Sequence, residues 1–120
     1  MIGCNPSRPL LVRPFQRMGT YNTLYTSLTC PRCGAAVETT VDCYFGYIGE
    51  MVDLKIGDRY PWWKGAQPQN GGRPEGGTTD GMGYMKCPRC QKDAHLRVLV
   101  RDDVIVGVEP DPERPGYVPD

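Results

Sequence analysis

The sequence predicts an all-β fold with no substantial helix. Three observations carry this. Apolar and polar residues alternate with the two-residue period of a strand in two regions, 36–57 and 94–108. No window repeats apolar residues at helical spacing. And 15 glycines and 12 prolines among 120 residues break the chain into short pieces, close to twice the roughly 12% of an average protein.

Taken in order, residues 1–19 hold Pro6, Pro9 and Pro14 and no periodic pattern, so an irregular arm is expected, with Met18 as an alternative natural start. Tyr21 to Cys30 is rich in Thr and Tyr, which favour strands. Beyond Gly34, Val37, Thr39, Val41, Cys43 and Phe45 face one way and Glu38, Thr40, Asp42 and Tyr44 the other. Val52, Leu54 and Ile56 then alternate with Asp53 and Lys55. With Gly46-Tyr47-Ile48-Gly49 as the turn, residues 36–57 read as a β-hairpin. The stretch 60–83 is a Gly/Pro-rich loop, and no packed element is expected between 65 and 83. Leu96, Val98 and Val100, the turn Asp102-Asp103 and the run Val104–Val108 make a second hairpin, with His95 on its wet side. From Pro110 four prolines leave an extended, solvated tail. The expected division is therefore an arm at 1–19, one domain at 20–109 and an acidic Pro-rich tail at 110–120.

The chain is neutral overall but unevenly so: Arg8, Arg13 and Arg17 stand in the first 20 residues without an acid, and six acids against Arg114 fill 102–120. This balance supplies no general attraction to a phosphate backbone. No run of about 18–20 apolar residues spans a bilayer, and Met-Ile-Gly-Cys-Asn-Pro lacks the apolar core of a secretory leader. A cytoplasmic location is the expectation, where paired cysteines are more often metal ligands than disulfides.

Cys30-Pro31-Arg32-Cys33 and Cys87-Pro88-Arg89-Cys90 are near-copies. Two residues between cysteines let one tight turn present both sulfurs to one ion, and two such turns complete a tetrahedron. Four thiolates on a divalent ion carry a net charge of −2, which Arg32, Arg89, Lys86 and Lys92 stand near enough to offset. Gly34 suits the positive φ that often follows the second cysteine, and Gln91 suits it less. Cys43 reads as a small buried hydrophobe, Cys4 as a free thiol, and one histidine is a poor supply for a hydrolytic site. In Arg59-Tyr60-Pro61-Trp62-Trp63-Lys64 neighbouring rings point opposite ways. One Trp is expected to cap the core, and Tyr60, Trp62 and Trp63 are the candidate partner contacts. The glycines of 65–83 lack the Gly-Lys-Ser/Thr ending of a phosphate loop.

The two knuckles, each after a strand and before a hairpin, resemble a zinc ribbon of the rubredoxin-like type over roughly residues 24–109, and the chain is similar to small bacterial zinc-ribbon proteins of unassigned function. The resemblance implies an antiparallel β fold, one structural zinc on Cys30, Cys33, Cys87 and Cys90, and binding of protein or nucleic acid. The stretch 34–86 departs from the compact pattern of roughly 15–20 residues between knuckles, and Gln91 replaces the usual glycine. The expected function is a non-enzymatic interaction or adaptor module for another protein, by analogy in a bacterial accessory or toxin-neutralising setting. The alternatives are a nucleic-acid-binding ribbon and a redox protein with iron in the same cage, which ligands alone do not distinguish. No membrane and no small-molecule substrate are implied.

Overall fold

The computed structural model describes residues 20–119. The readings that fall on the arm 1–19, including Cys4 and the alternative start, lie outside them. The all-β expectation holds: six strands form one curled sheet. They are β1 (Asn22–Thr29), β2 (Ala36–Cys43), β3 (Asp53–Lys55), β4 (Thr79–Lys86), β5 (Asp93–Arg101) and β6 (Val104–Pro110), in the spatial order β3-β1-β2-β4-β5-β6. Leu24, Val41, Leu54, Met85, Val98 and Ile105 fill the inside of the curl. The sheet's two ends meet where Gly57 and Asp58 exchange backbone hydrogen bonds with Ile105, at 2.8 and 2.9 Å.

The sheet is built on a repeat. β1 and β2 pair antiparallel from Asn22↔Cys43 to Thr29↔Ala36, and β4 and β5 from Thr79↔Val100 to Lys86↔Asp93. Each hairpin closes around one Cys-Pro-Arg-Cys turn, in the same register relative to its cysteines. The hairpins touch through a short ladder, Asp42↔Tyr84 and Cys43↔Gly83, at the end of β2 far from the first knuckle and close before the second. The ladder therefore does little to hold the first knuckle against the second hairpin.

The hairpin expected at 36–57 does not form. β2 gives one edge to β1 and the other to β4, while β3 lies parallel to β1 through Thr23↔Asp53, Leu24↔Leu54 and Tyr25↔Lys55. The reason is Asn22, which is fully buried. Its amide donates to the Tyr47 carbonyl (3.0 Å) and the Tyr60 hydroxyl (3.2 Å), and its oxygen accepts from the Val52 amide (3.1 Å). These bonds fold the connection back onto the free edge of β1.

The loop 60–83 is also more ordered than its composition implies. It makes two short 3-10 turns, Pro68–Asn70 and Glu75–Gly77, and its last residues begin β4. Its glycines serve close packing: a Cβ on Gly81 would lie 2.2 Å from the Phe45 ring, and one on Gly77 2.2 Å from Asp103 Oδ1. Asp103 anchors the loop, accepting from Trp62 Nε1 (2.8 Å) and from Arg73 Nε and a terminal nitrogen (2.8 and 3.0 Å). The Arg73 guanidinium first, then the Trp62 indole, holds its carboxyl below the usual carboxylate range.

Candidate metal centre

Each knuckle is fixed by the strand before it and a left-handed residue after it. The Gly34 amide donates to the Cys30 carbonyl (2.8 Å) and the Cys30 amide to the Ala35 carbonyl (2.9 Å). The second knuckle repeats this, Gln91 to Cys87 (2.9 Å) and Cys87 to Lys92 (2.8 Å). Gly34 has φ of 78° and Gln91 of 65°. Gln91 thus adopts the conformation that costs an L side chain roughly 1–2 kcal/mol, against a side-chain bond to the Pro88 carbonyl at 3.0 Å. Replacing Gln91 with glycine is expected to stabilise the fold by about 1 kcal/mol, raising the melting temperature by about 4–8 °C in a domain of this size, measurable by thermal denaturation of the metal-loaded protein.

The curl of the sheet brings the two knuckles together. The sulfurs of Cys30, Cys33, Cys87 and Cys90 all lie within 4.8 Å of one another. The Cys30 and Cys90 sulfurs are 3.9 Å apart, and those of Cys33 and Cys87 3.8 Å. A tetrahedron with Zn–S bonds of about 2.3 Å has edges of about 3.8 Å, so the donor set fits one metal ion in both chemistry and spacing. All four cysteines are free of disulfides.

Two of the sulfurs are already stabilised as acceptors. The Arg32 amide donates to Cys30 Sγ and the Arg89 amide to Cys87 Sγ, both at 3.3 Å, and the Cys90 amide reaches Cys87 Sγ at 3.5 Å. Burial pushes the Cys30 thiol up. Burial acts the same way on Cys87, but there the Cys90 and Arg89 amides outweigh it and hold the thiol down. Of the cations expected to offset the cluster, Lys86 and Arg89 are exposed and Lys92 half-buried. The Arg32 guanidinium donates to the Asp93 carbonyl and lies 3.6 Å from the Asp93 carboxylate.

Asp93, which the sequence reading passed over, is the main polar anchor beside the centre. It is 1% exposed. Its carboxylate accepts from the Tyr84 hydroxyl (2.6 Å) and from the amides of Tyr117 and Val118 (2.9 Å each), and lies 3.6 Å from the Arg32 guanidinium. Burial alone would raise its pKa, but the Tyr84 hydroxyl and the Val118 and Tyr117 amides outweigh it and hold it at about 2. The tail is therefore not simply solvated: residues 115–118 lie back across the first knuckle. His95 is likewise not on a wet face. It is 6% exposed, edge-on between the rings of Tyr84 (5.2 Å) and Tyr117 (5.3 Å). Burial first, then the Arg114 charge, lowers its proton affinity.

The aromatic cluster divides as adjacent side chains in extended chain must. Tyr60 is 3% exposed, stacked on Phe45 at 4.2 Å and donating its hydroxyl to the Phe45 carbonyl, so it presents no surface to a partner. Trp62 packs against Tyr60 at 5.0 Å, and Trp63 is 55% exposed, edge-on to Tyr47 at 5.3 Å. Cys43 is fully buried in the core, away from the four-cysteine cluster. Among the described residues no helix is long and apolar enough to cross a membrane.

Comparison of the chain with models of protein families, with curated proteins and with solved structures found no match.

Proposed function

We propose that the four cysteines hold one structural zinc ion and that the chain is a non-enzymatic, protein-binding module. The observation that supports the metal reading best is the spacing of the sulfurs, which matches the edge of a Zn–S4 tetrahedron. Four thiolates fill the coordination sphere and leave no position for a substrate, which favours a structural over a catalytic role. One zinc per chain is expected by mass spectrometry of the intact protein; no bound metal overturns this reading, and iron replaces it with electron transfer.

Support for a protein partner comes from the groove of about 330 Å³ between Tyr47, Trp62, Trp63 and Lys64. An exposed indole braced by a second ring offers a large contact area at little cost in side-chain freedom. The nucleic-acid alternative needs converging, unpaired arginines. Arg97 instead lies 3.5 Å from Asp111 and 3.8 Å from Glu109, Arg101 lies 2.9 Å from Asp80, and Arg32 is paired with Asp93. Trp63→Ala is expected to abolish capture of the protein partner while leaving metal content and melting temperature unchanged. Capture that survives this substitution moves the interface elsewhere, and salt-sensitive retention on nucleic acid favours the alternative.

A further inference from the structure

The segment Pro115–Val118 is held by two side chains, one from each half of the metal centre. Arg32 lies inside the first knuckle, with its side chain 9% exposed. Its guanidinium donates to the Asp93 carbonyl (2.8 Å), the Pro115 carbonyl (3.4 Å) and the Val118 carbonyl. Asp93 follows the second knuckle, and its carboxylate takes the Tyr117 and Val118 amides. The tail's carbonyls thus go to one knuckle and its amides to the other. Gly116 passes so close that a Cβ there would lie 2.4 Å from the Asp93 carbonyl oxygen and 2.8 Å from the Arg32 guanidinium, at a φ of 129° that favours glycine. The Tyr117 ring closes over His95.

The geometry points to residues 115–118 as a strap that bridges the two knuckles, so that closing the strap and loading the metal strengthen one another. The inference rests on the reading that the four cysteines hold a metal ion. Its physical basis is the short backbone connection between the hairpins: β2 and β4 pair at Asp42↔Tyr84 and Cys43↔Gly83, close before the second knuckle but at the end of β2 remote from the first, so the ladder does not itself hold the first knuckle. Near the cysteines, the sulfur cluster and the bonds from Arg32 to Asp93 join the two knuckles. If the knuckles separate, Arg32 leaves Asp93, and the strap can no longer satisfy its carbonyls and amides together. Coupling of this kind is reciprocal, so a strap that cannot close must weaken metal binding by the same factor by which metal favours closure.

The test uses the full chain and two substitutions that open the strap by different routes. Gly116→Val fills the close approach, and Val118→Pro deletes one amide donor outside the six strands. Glu113→Gln, exposed and outside the clamp, is the control. Metal content is counted first. Amide hydrogen exchange is then read at Tyr117 and Val118 and, as a measure of the fold, along β5. Zinc affinity is measured by competition with a chromogenic chelator. In the zinc-loaded parent, protected Tyr117 and Val118 amides are expected. Both amides in Gly116→Val, and the remaining Tyr117 amide in Val118→Pro, should exchange freely while β5 stays protected, and zinc affinity should fall by about tenfold, a coupling of ordinary size; the control should match the parent. A strap that opens with zinc affinity unchanged overturns the inference, as do tail amides unprotected in the zinc-loaded parent. A parent that takes up no metal overturns the metal reading and the coupling with it, an outcome visible at the first step.

Discussion

Chelation of the metal is expected to unfold the described domain, not merely loosen it. Structural zinc contributes roughly 10–16 kcal/mol of apparent binding energy in small domains at neutral pH, against about 5–15 kcal/mol of total stability for a typical domain. The arrangement of this sheet makes the dependence severe, because the two hairpins share a short ladder remote from the first knuckle and the cysteines tie that knuckle to the second. Removing the ion leaves four thiols crowded together, two of them buried, with Cys30 held protonated by burial and Cys87 biased towards thiolate. Loss of the sheet's circular dichroism on chelation, and its return with one equivalent of zinc, is the expected result. Cys87→Ser should reproduce the loss without chelator. Cys43→Ala, in the core but outside the cluster, should keep the full metal content. A chelated protein that melts like the untreated one would sink the structural role.

The second large effect is expected at Asp93. Asp93→Ala removes the acceptor for the Tyr84 hydroxyl and for two amides, and leaves the buried Arg32 guanidinium without its carboxylate. Breaking a buried pair in this way costs about 3–5 kcal/mol, a fall of at least 12 °C in melting temperature at about 4 °C per kcal/mol. The same carboxylate sets part of the acid limit of the fold. Its pKa is depressed from its ordinary 3.8 to about 2, so the folded state binds its proton less readily than the unfolded chain. Its stabilising contribution is complete above pH 3.8 and is lost as the pH falls from there towards 2. Asp93→Asn should abolish that portion of the acid dependence. Stability at neutral pH unchanged by Asp93→Ala would show that the clamp is not a structural element.

The sequence carried the all-β class and the four-cysteine set, because both rest on local signals: a two-residue period and two copies of a four-residue turn. It carried the β5–β6 hairpin for the same reason, since the left-handed turn Asp102-Asp103 adjoins both strands. What it did not carry was decided by pairs far apart in the chain. Asn22 reaches Val52 and Tyr60 to place β3 beside β1, and no pattern near residue 22 announces it. Asp103 reaches Trp62 and Arg73, which orders a loop whose glycines imitate a flexible linker. His95 occupies a formally polar strand position and is buried because Tyr117 folds over it. In each case one polar side chain, satisfied at a distance, overrode the local reading.

The repeat in the sheet also bears on assembly. Each strand–knuckle–strand unit supplies two thiolates and cannot complete a tetrahedral site alone, so the molecule is in effect a dimer of half-sites made from one chain. The connection 44–78 holds no cysteine and acts as the tether. A covalent connection, here an ordered one, converts a two-body encounter into an internal one. It also gives each half-site one favoured mate, the other half of its own chain, and so disfavours metal-bridged aggregation between molecules.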